Sequence, residues 1–139
     1  MLPVFYHGLV VQLGCMPADF WINKSLHEEY VSFRGEIEAG LSEIFGMAHQ
    51  ALTPEVQVFT PRTIYRASNS MNAAFAGFAG KLLGRDDFAR PYRGTEFEAV
   101  GTDLRKLNTA DHGYRGDRDA TDAWAGELGV AGWYEWRQA

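Results

Sequence analysis

Four histidines, one cysteine and a run of aspartates are the side chains of this chain whose types could carry chemistry. His7, His27, His49 and His112 are widely separated. No two lie three or four residues apart, the spacing that sets paired imidazoles on one face of a metal-binding helix. Cys15 is the only cysteine, so no intrachain disulfide and no paired-cysteine zinc or redox motif is available. Its Gly-Cys-Met-Pro setting predicts a turn carrying a structural thiol. Asp117, Asp119 and Asp122 begin like an oxygen-ligand calcium loop, but the twelfth position counted from Asp117, where a bidentate glutamate belongs, holds Leu128. These aspartates are read as caps at the positive N-terminal end of a helix. Nucleophile-elbow, Walker and dinucleotide-glycine motifs are missing from the sequence. The expectation is therefore no metal and no cofactor.

Two segments carry residues suited to recognition. GRDDFARPYRG (84–94) sets Arg85, Arg90 and Arg93 beside Phe88 and Tyr92, a composition that can take a phosphate, a carboxylate or a protein surface. Its other reading is a solvated connector whose arginines pair with Asp86, Asp87 and the acidic first helix. WYEWR (133–137) reads as a strand with Trp133, Glu135 and Arg137 on one face and Tyr134 and Trp136 on the other, an edge that a partner would cover. The candidate contacts are Arg90, Tyr92, Arg93, Trp133, Tyr134 and Trp136.

VQVFTPRTIYRASNSMNAAFAG (56–77), following a first strand that ends in YHG, resembles the histidine phosphatase and phosphoglycerate mutase family. That family's first strand ends in Arg-His-Gly, and its second leads through Ser/Thr-Pro to an arginine on a helix. The resemblance implies His7 as phosphorylated nucleophile, Arg62 or Arg66 as phosphate clamp, and His112 as the second histidine. Tyr6 stands where the family has its leading arginine, which removes a cation from the phosphoryl site.

These residues need elements to position them. Leu2 to Leu13 is a nearly unbroken apolar run, read as a strand buried on both faces, in which His7 is either a hydrogen-bonded core histidine or a functional residue at a strand end. Ser25 and Glu28 form a capping box ahead of a long helix from Leu26 to Ala51, with Tyr30, Phe33, Ile37, Leu41, Ile44 and Ala48 as its core stripe. Gly35, Gly40 and Gly46 inside it predict close approach of another backbone. Glu55 to Phe59 reads as a second strand. Thr60 and Pro61 then open a slim helix with the stripe Ile64, Ala67, Met71, Phe75, Phe78 and Leu82, stopped at Gly84. Thr95 and Glu98 cap a third helix ending near Asn108, and a fourth runs from about Ala120 to Leu128, stopped at Gly129. The fold predicted is an α/β or α+β single domain over 1–139, a small sheet with two long helices packed on it and a C-terminal strand.

At 139 residues the chain is one domain's length and has no need of metal or disulfide staples. Its net charge of -5 argues against a general nucleic-acid or anionic-membrane binder. The charge is segmented, with 2 cations and 7 acids in residues 1–59, 6 and 2 in 60–93, and 5 and 9 in 94–139. The first two segments would complement each other within the fold. The opening residues lack a basic n-region and a small-residue cleavage site, and the lone cysteine gives secretion no support, so a cytoplasmic protein is expected, in host cytoplasm if viral. Arginine bias (ten of 13 cations) and aromatic density favour a non-catalytic interaction or assembly protein. That means a subunit of a larger viral or cellular complex, or an inhibitor of another protein, working through a protein partner or self-association. The alternative is a phosphohydrolase using His7, Arg66 and His112.

Overall fold

The apolar run that opens the chain is a helix. The computed structural model describes residues 2–108 and 113–137, and among them there is no strand, so the α/β or α+β expectation with its small sheet is corrected to an all-helical domain. Leu2–Glu29 forms α1, whose Leu9, Leu13, Met16 and Phe20 recur at helical spacing and face the core. A continuous apolar run fits a buried strand or a buried helix equally, and length decides between them. Cys15 accordingly lies within α1 and is exposed, rather than in a turn.

The second expected strand is α3, Pro54–Phe59, with Thr53 as N-cap and Pro54 in its first turn, where a missing N–H leaves no bond unmade. The expected C-terminal strand is a 3-10 turn, Ala131–Trp133, followed by extended residues without a partner strand among the described residues. The helix expected from Leu26 to Ala51 is two elements. Its first residues belong to α1, so Ser25 and Glu28 lie inside a helix and cap nothing, and α2 is Arg34–Gln50. Leu41 and Phe45 are the buried residues of α2, while Ile44, Tyr30 and Phe33 of the expected stripe stay exposed. Around Gly35, Gly40 and Gly46 there is open space, so close backbone approach does not explain them.

The centre of the domain is α4, Arg62–Leu83, with twelve buried residues from Ile64 to Gly80. Its expected start is off by one residue, since Pro61 is the N-cap. Its stop holds, with Gly84 at φ 67° in the left-handed region that glycine adopts freely. Small residues make α4 slim, and α5, Glu96–Leu107, packs closest on it: a Cβ on Gly101 would stand 2.9 Å from the Ala74 nitrogen. Thr95 is the N-cap of α5 as expected, but its hydroxyl donates back to the Tyr92 carbonyl while Glu98 accepts from the Gly94 N–H, so the capping box is not closed. The last helix, α6, is Gly113–Leu128 and ends at Gly129, with φ 74°. It starts before Ala120, so Asp117, Asp119 and Asp122 lie within it and are not its caps.

The helices close around Phe20, Phe75, Trp124, Phe45 and Phe88, joined by ring contacts of 4.5–5.5 Å. Trp124 is fully buried, and its indole N–H donates at 2.9 Å to the Leu104 carbonyl in the last turn of α5. Asn108, just beyond α5, accepts from the Trp21 indole at 3.0 Å and donates to the Pro17 carbonyl at 3.0 Å, which latches α5 to α1.

Candidate interaction surface

The arginines of 84–94 are engaged within their own loop. Asp86 accepts from both Arg90 and Arg93, and this pairing, led by Arg93, holds its carboxyl below the usual carboxylate range. Arg85 makes a bidentate pair with Asp87, reaches Glu38 of α2 at 3.2 Å and lies 4.3 Å over the Phe88 ring. That is the connector reading, and the Arg85–Glu38 contact joins the basic segment to acidic α2. Arg90 and Arg93 still keep 65% and 57% of their side chains exposed. Tyr92 is 2% exposed, so it stands in the core and offers a partner no surface.

The C-terminal aromatics fold back onto α1 and α6. Trp133 stacks on Tyr6 at 5.7 Å. The Tyr134 hydroxyl and the Trp136 indole N–H both donate to Asp122 Oδ1, at 2.6 and 2.8 Å, and Arg118 lies 5.1 Å from the Trp136 ring. All three aromatics remain half-buried. An open groove of about 560 Å³ runs beside Trp133, lined by Tyr6, Pro61, Arg62 and Ile64.

Between α1, α3 and α4 lies a second groove of about 330 Å³, apolar along Val4, Phe5, Leu9, Val56 and Ile64. At its polar end Gln12 donates to Asn72 Oδ1 at 2.9 Å and accepts from the Ser68 hydroxyl at 2.8 Å, so these groups satisfy one another. Asn69 donates to the Tyr65 carbonyl, and its Oδ1 is buried without a partner among the described residues. Sequence reasoning missed this cluster; its only signal was the crowding of Ser68, Asn69 and Asn72 beside the apolar stripe of α4.

No hydrogen bond or ion pair among the described residues joins His7 to Arg66. His7 is exposed on α1, and Arg66 on α4 is 3.9 Å from Glu96 of α5. The resemblance to histidine phosphatases depends on strands at 2–13 and 55–59, and helices stand in both places. His112 lies outside the described residues. His49 is held by a 2.9 Å contact to the Phe88 carbonyl. No group of three or more metal-ligating side chains occurs among the described residues, and no described helix is long and apolar enough to cross a membrane.

What sequence reasoning also missed is apolar surface. Ile22, Leu26, Tyr30, Val31 and Phe33, at the corner between α1 and α2, are each at least 38% exposed. Val58 and Phe59 of α3 are 76% and 74% exposed. No family model matches this chain, and neither the curated proteins nor the solved structures yield a match.

Proposed function

We propose that this chain is a non-catalytic interaction or assembly protein, a subunit of a larger viral or cellular complex or an inhibitor that binds another protein. The observation that carries this reading is the α1–α2 corner. Five large apolar side chains within twelve residues, Ile22 to Phe33, are left in water while smaller residues such as Ala74 and Ala76 are fully buried. Single exposed apolar residues are ordinary, but a cluster of them is characteristic of protein contact sites. Arg90, Arg93 and the half-buried Trp133, Tyr134 and Trp136 add residue types enriched at interfaces.

The test is the size of the chain in the cells that make it. In a fresh lysate fractionated by size and probed for this chain, it is expected well above its own mass of 15.6 kDa. Elution at 15.6 kDa across the expression range would overturn the reading.

A further inference from the structure

The outer face of α1 is apolar from Val4 to Leu26, beyond which the exposed Glu29 ends the helix. On the side opposite Leu9, Leu13 and Phe20, the helix presents Val4, Gly8, Val11 and Cys15, then Ala18, Ile22 and Leu26. Val4 is 73% exposed, Val11 49%, Ile22 53% and Leu26 38%. None of the seven is charged. Apolar residues thus surround α1, a pattern that belongs to helices buried on more than one side, yet among the described residues none covers this one.

We propose that this face docks on the same face of a second copy of the chain, with the two α1 helices antiparallel about a two-fold axis near Cys15. This rests on the interaction reading above and names its partner. Three observations select the occupant.

The first is spacing. The stripe advances by 4, 3, 4, 3, 4 and 4 residues, a heptad-like seam that fits the knobs and holes of another helix.

The second is the arrangement of large and small residues. Cys15 is the midpoint of Val4 and Leu26, and also of Gly8 and Ile22. Antiparallel pairing sets Ile22 over Gly8 and Val11 beside Ala18, large against small. Parallel pairing in register would stack glycine on glycine and isoleucine on isoleucine.

The third is charge. All charged side chains of α1 lie in its C-terminal part, where Asp19, Glu28 and Glu29 against Lys24 sum to -2. An antiparallel pair lays each acidic end beside the partner's uncharged N-terminal half, where the helix dipole is positive. A parallel pair would set the two acidic ends together.

The seam spans about 33 Å at roughly 1.5 Å per residue, and one helix width gives a footprint of roughly 350 Å². A standard interface buries about 800 Å² per partner, so the flanks must contribute. They can do so in the antiparallel arrangement. Val58 and Phe59 belong to α3, whose Val56 shares a groove with Val4 at the N-terminal end of α1, and Tyr30, Val31 and Phe33 follow its C-terminal end. The two-fold axis directs each set toward the other copy's opposite set.

Sedimentation equilibrium of the purified chain, from low micromolar to submillimolar, is expected to show a mass rising to twice 15.6 kDa. Ile22→Glu sets a charge in the seam at an exposed site, so circular dichroism should be unchanged while the dissociation constant rises by about ten-fold or more. Orientation is read in a Cys15→Ser background under mild air oxidation. Mixed Val4→Cys and Leu26→Cys chains should cross-link to each other, and neither variant to itself. A monomer at all concentrations, a dimer indifferent to Ile22→Glu, or cross-linking of Val4→Cys to itself would each overturn the proposal. So would a monomer that co-floats with phosphatidylcholine vesicles, which would give the face to lipid. A purified monomer that is nonetheless part of a larger complex in lysate sinks this inference alone and leaves the interaction reading standing.

Discussion

The Thr121 hydroxyl of α6 donates at 3.3 Å to the Leu13 carbonyl of α1, the acceptor to which Pro17, four residues on, has no N–H to offer. A proline inside a helix is ordinarily expensive because it strands such a carbonyl. Here the neighbouring helix supplies the donor, and the interruption in α1 becomes a point of attachment for α6.

The two residues should therefore be coupled. Thr121→Val keeps the shape of the buried side chain and removes the donor, at an expected cost of about 1–2 kcal/mol in urea denaturation. In a Pro17→Ala background the helix can satisfy its own carbonyl, and the same change should cost measurably less. Equal costs in both backgrounds would show that Thr121 does not substitute for the missing N–H.

Glycines of this chain divide into two kinds that give opposite results. A Cβ on Gly101 would sit 2.9 Å from the Ala74 nitrogen and 3.1 Å from the Ala73 Cβ, so Gly101→Ala must push α5 off α4, at about 1–3 kcal/mol. Gly40 is exposed in mid-α2, where an added Cβ would meet no described atom within 4 Å beyond its own helix backbone, and Gly40→Ala should stabilise the fold by about 0.5–1 kcal/mol. Denaturation midpoints of the two variants on either side of the parent would bear this out.

What could be read from the sequence was local. Gly84 and Gly129 stop helices because a left-handed glycine is a property of one residue, and Thr95 marks the start of α5 for a similarly short-range reason. The stripe Ile64, Ala67, Met71 and Phe75 was legible because α4 is small and polar elsewhere. The sheet was misread because residues 2–13 are apolar on every side, which erases the periodicity that separates helix from strand. At 55–59 the strand reading ignored Pro54, whose place after Thr53 marks a helix start. The exposed face of α1 was invisible for the same reason. Only a helix long enough to have two faces can leave one of them bare.

Tyr92 supplies a pH prediction. Its hydroxyl is buried and has no hydrogen-bond partner among the described residues, and burial raises its pKa above the ordinary 10.0; Tyr134 moves the same way, chiefly through burial and then through Asp122. The folded state thus holds these protons more tightly than the unfolded state. Stability from this source is full below about pH 10 and is lost as the pH climbs above it. Tyr92→Phe deletes an unsatisfied hydroxyl, so it should be neutral or stabilising by about 1 kcal/mol, and it should move the alkaline unfolding midpoint upward. Circular dichroism followed from neutral to strongly alkaline pH is the measurement, and a downward midpoint shift would refute the account.

Asp122 holds the C-terminal segment by a single oxygen, since Tyr134 and Trp136 both donate to Oδ1. Asp122→Ala removes both acceptors at once. The expected result is release of residues 134–137, seen as faster proteolysis after α6 and altered tryptophan emission, with a stability loss of only about 0.5–1.5 kcal/mol because the bonds are solvent-exposed. Asp122→Asn keeps an acceptor and should retain most of the order. The phenol of Tyr134 reports on the same contact. Burial is the larger cause of its raised pKa and Asp122 the next, and release of the segment in Asp122→Ala removes both, so its tyrosinate should form at lower pH, close to the ordinary value. Were the segment held instead by the Tyr6–Trp133 stack, Asp122→Ala would leave proteolysis unchanged and Tyr6→Ala would release it.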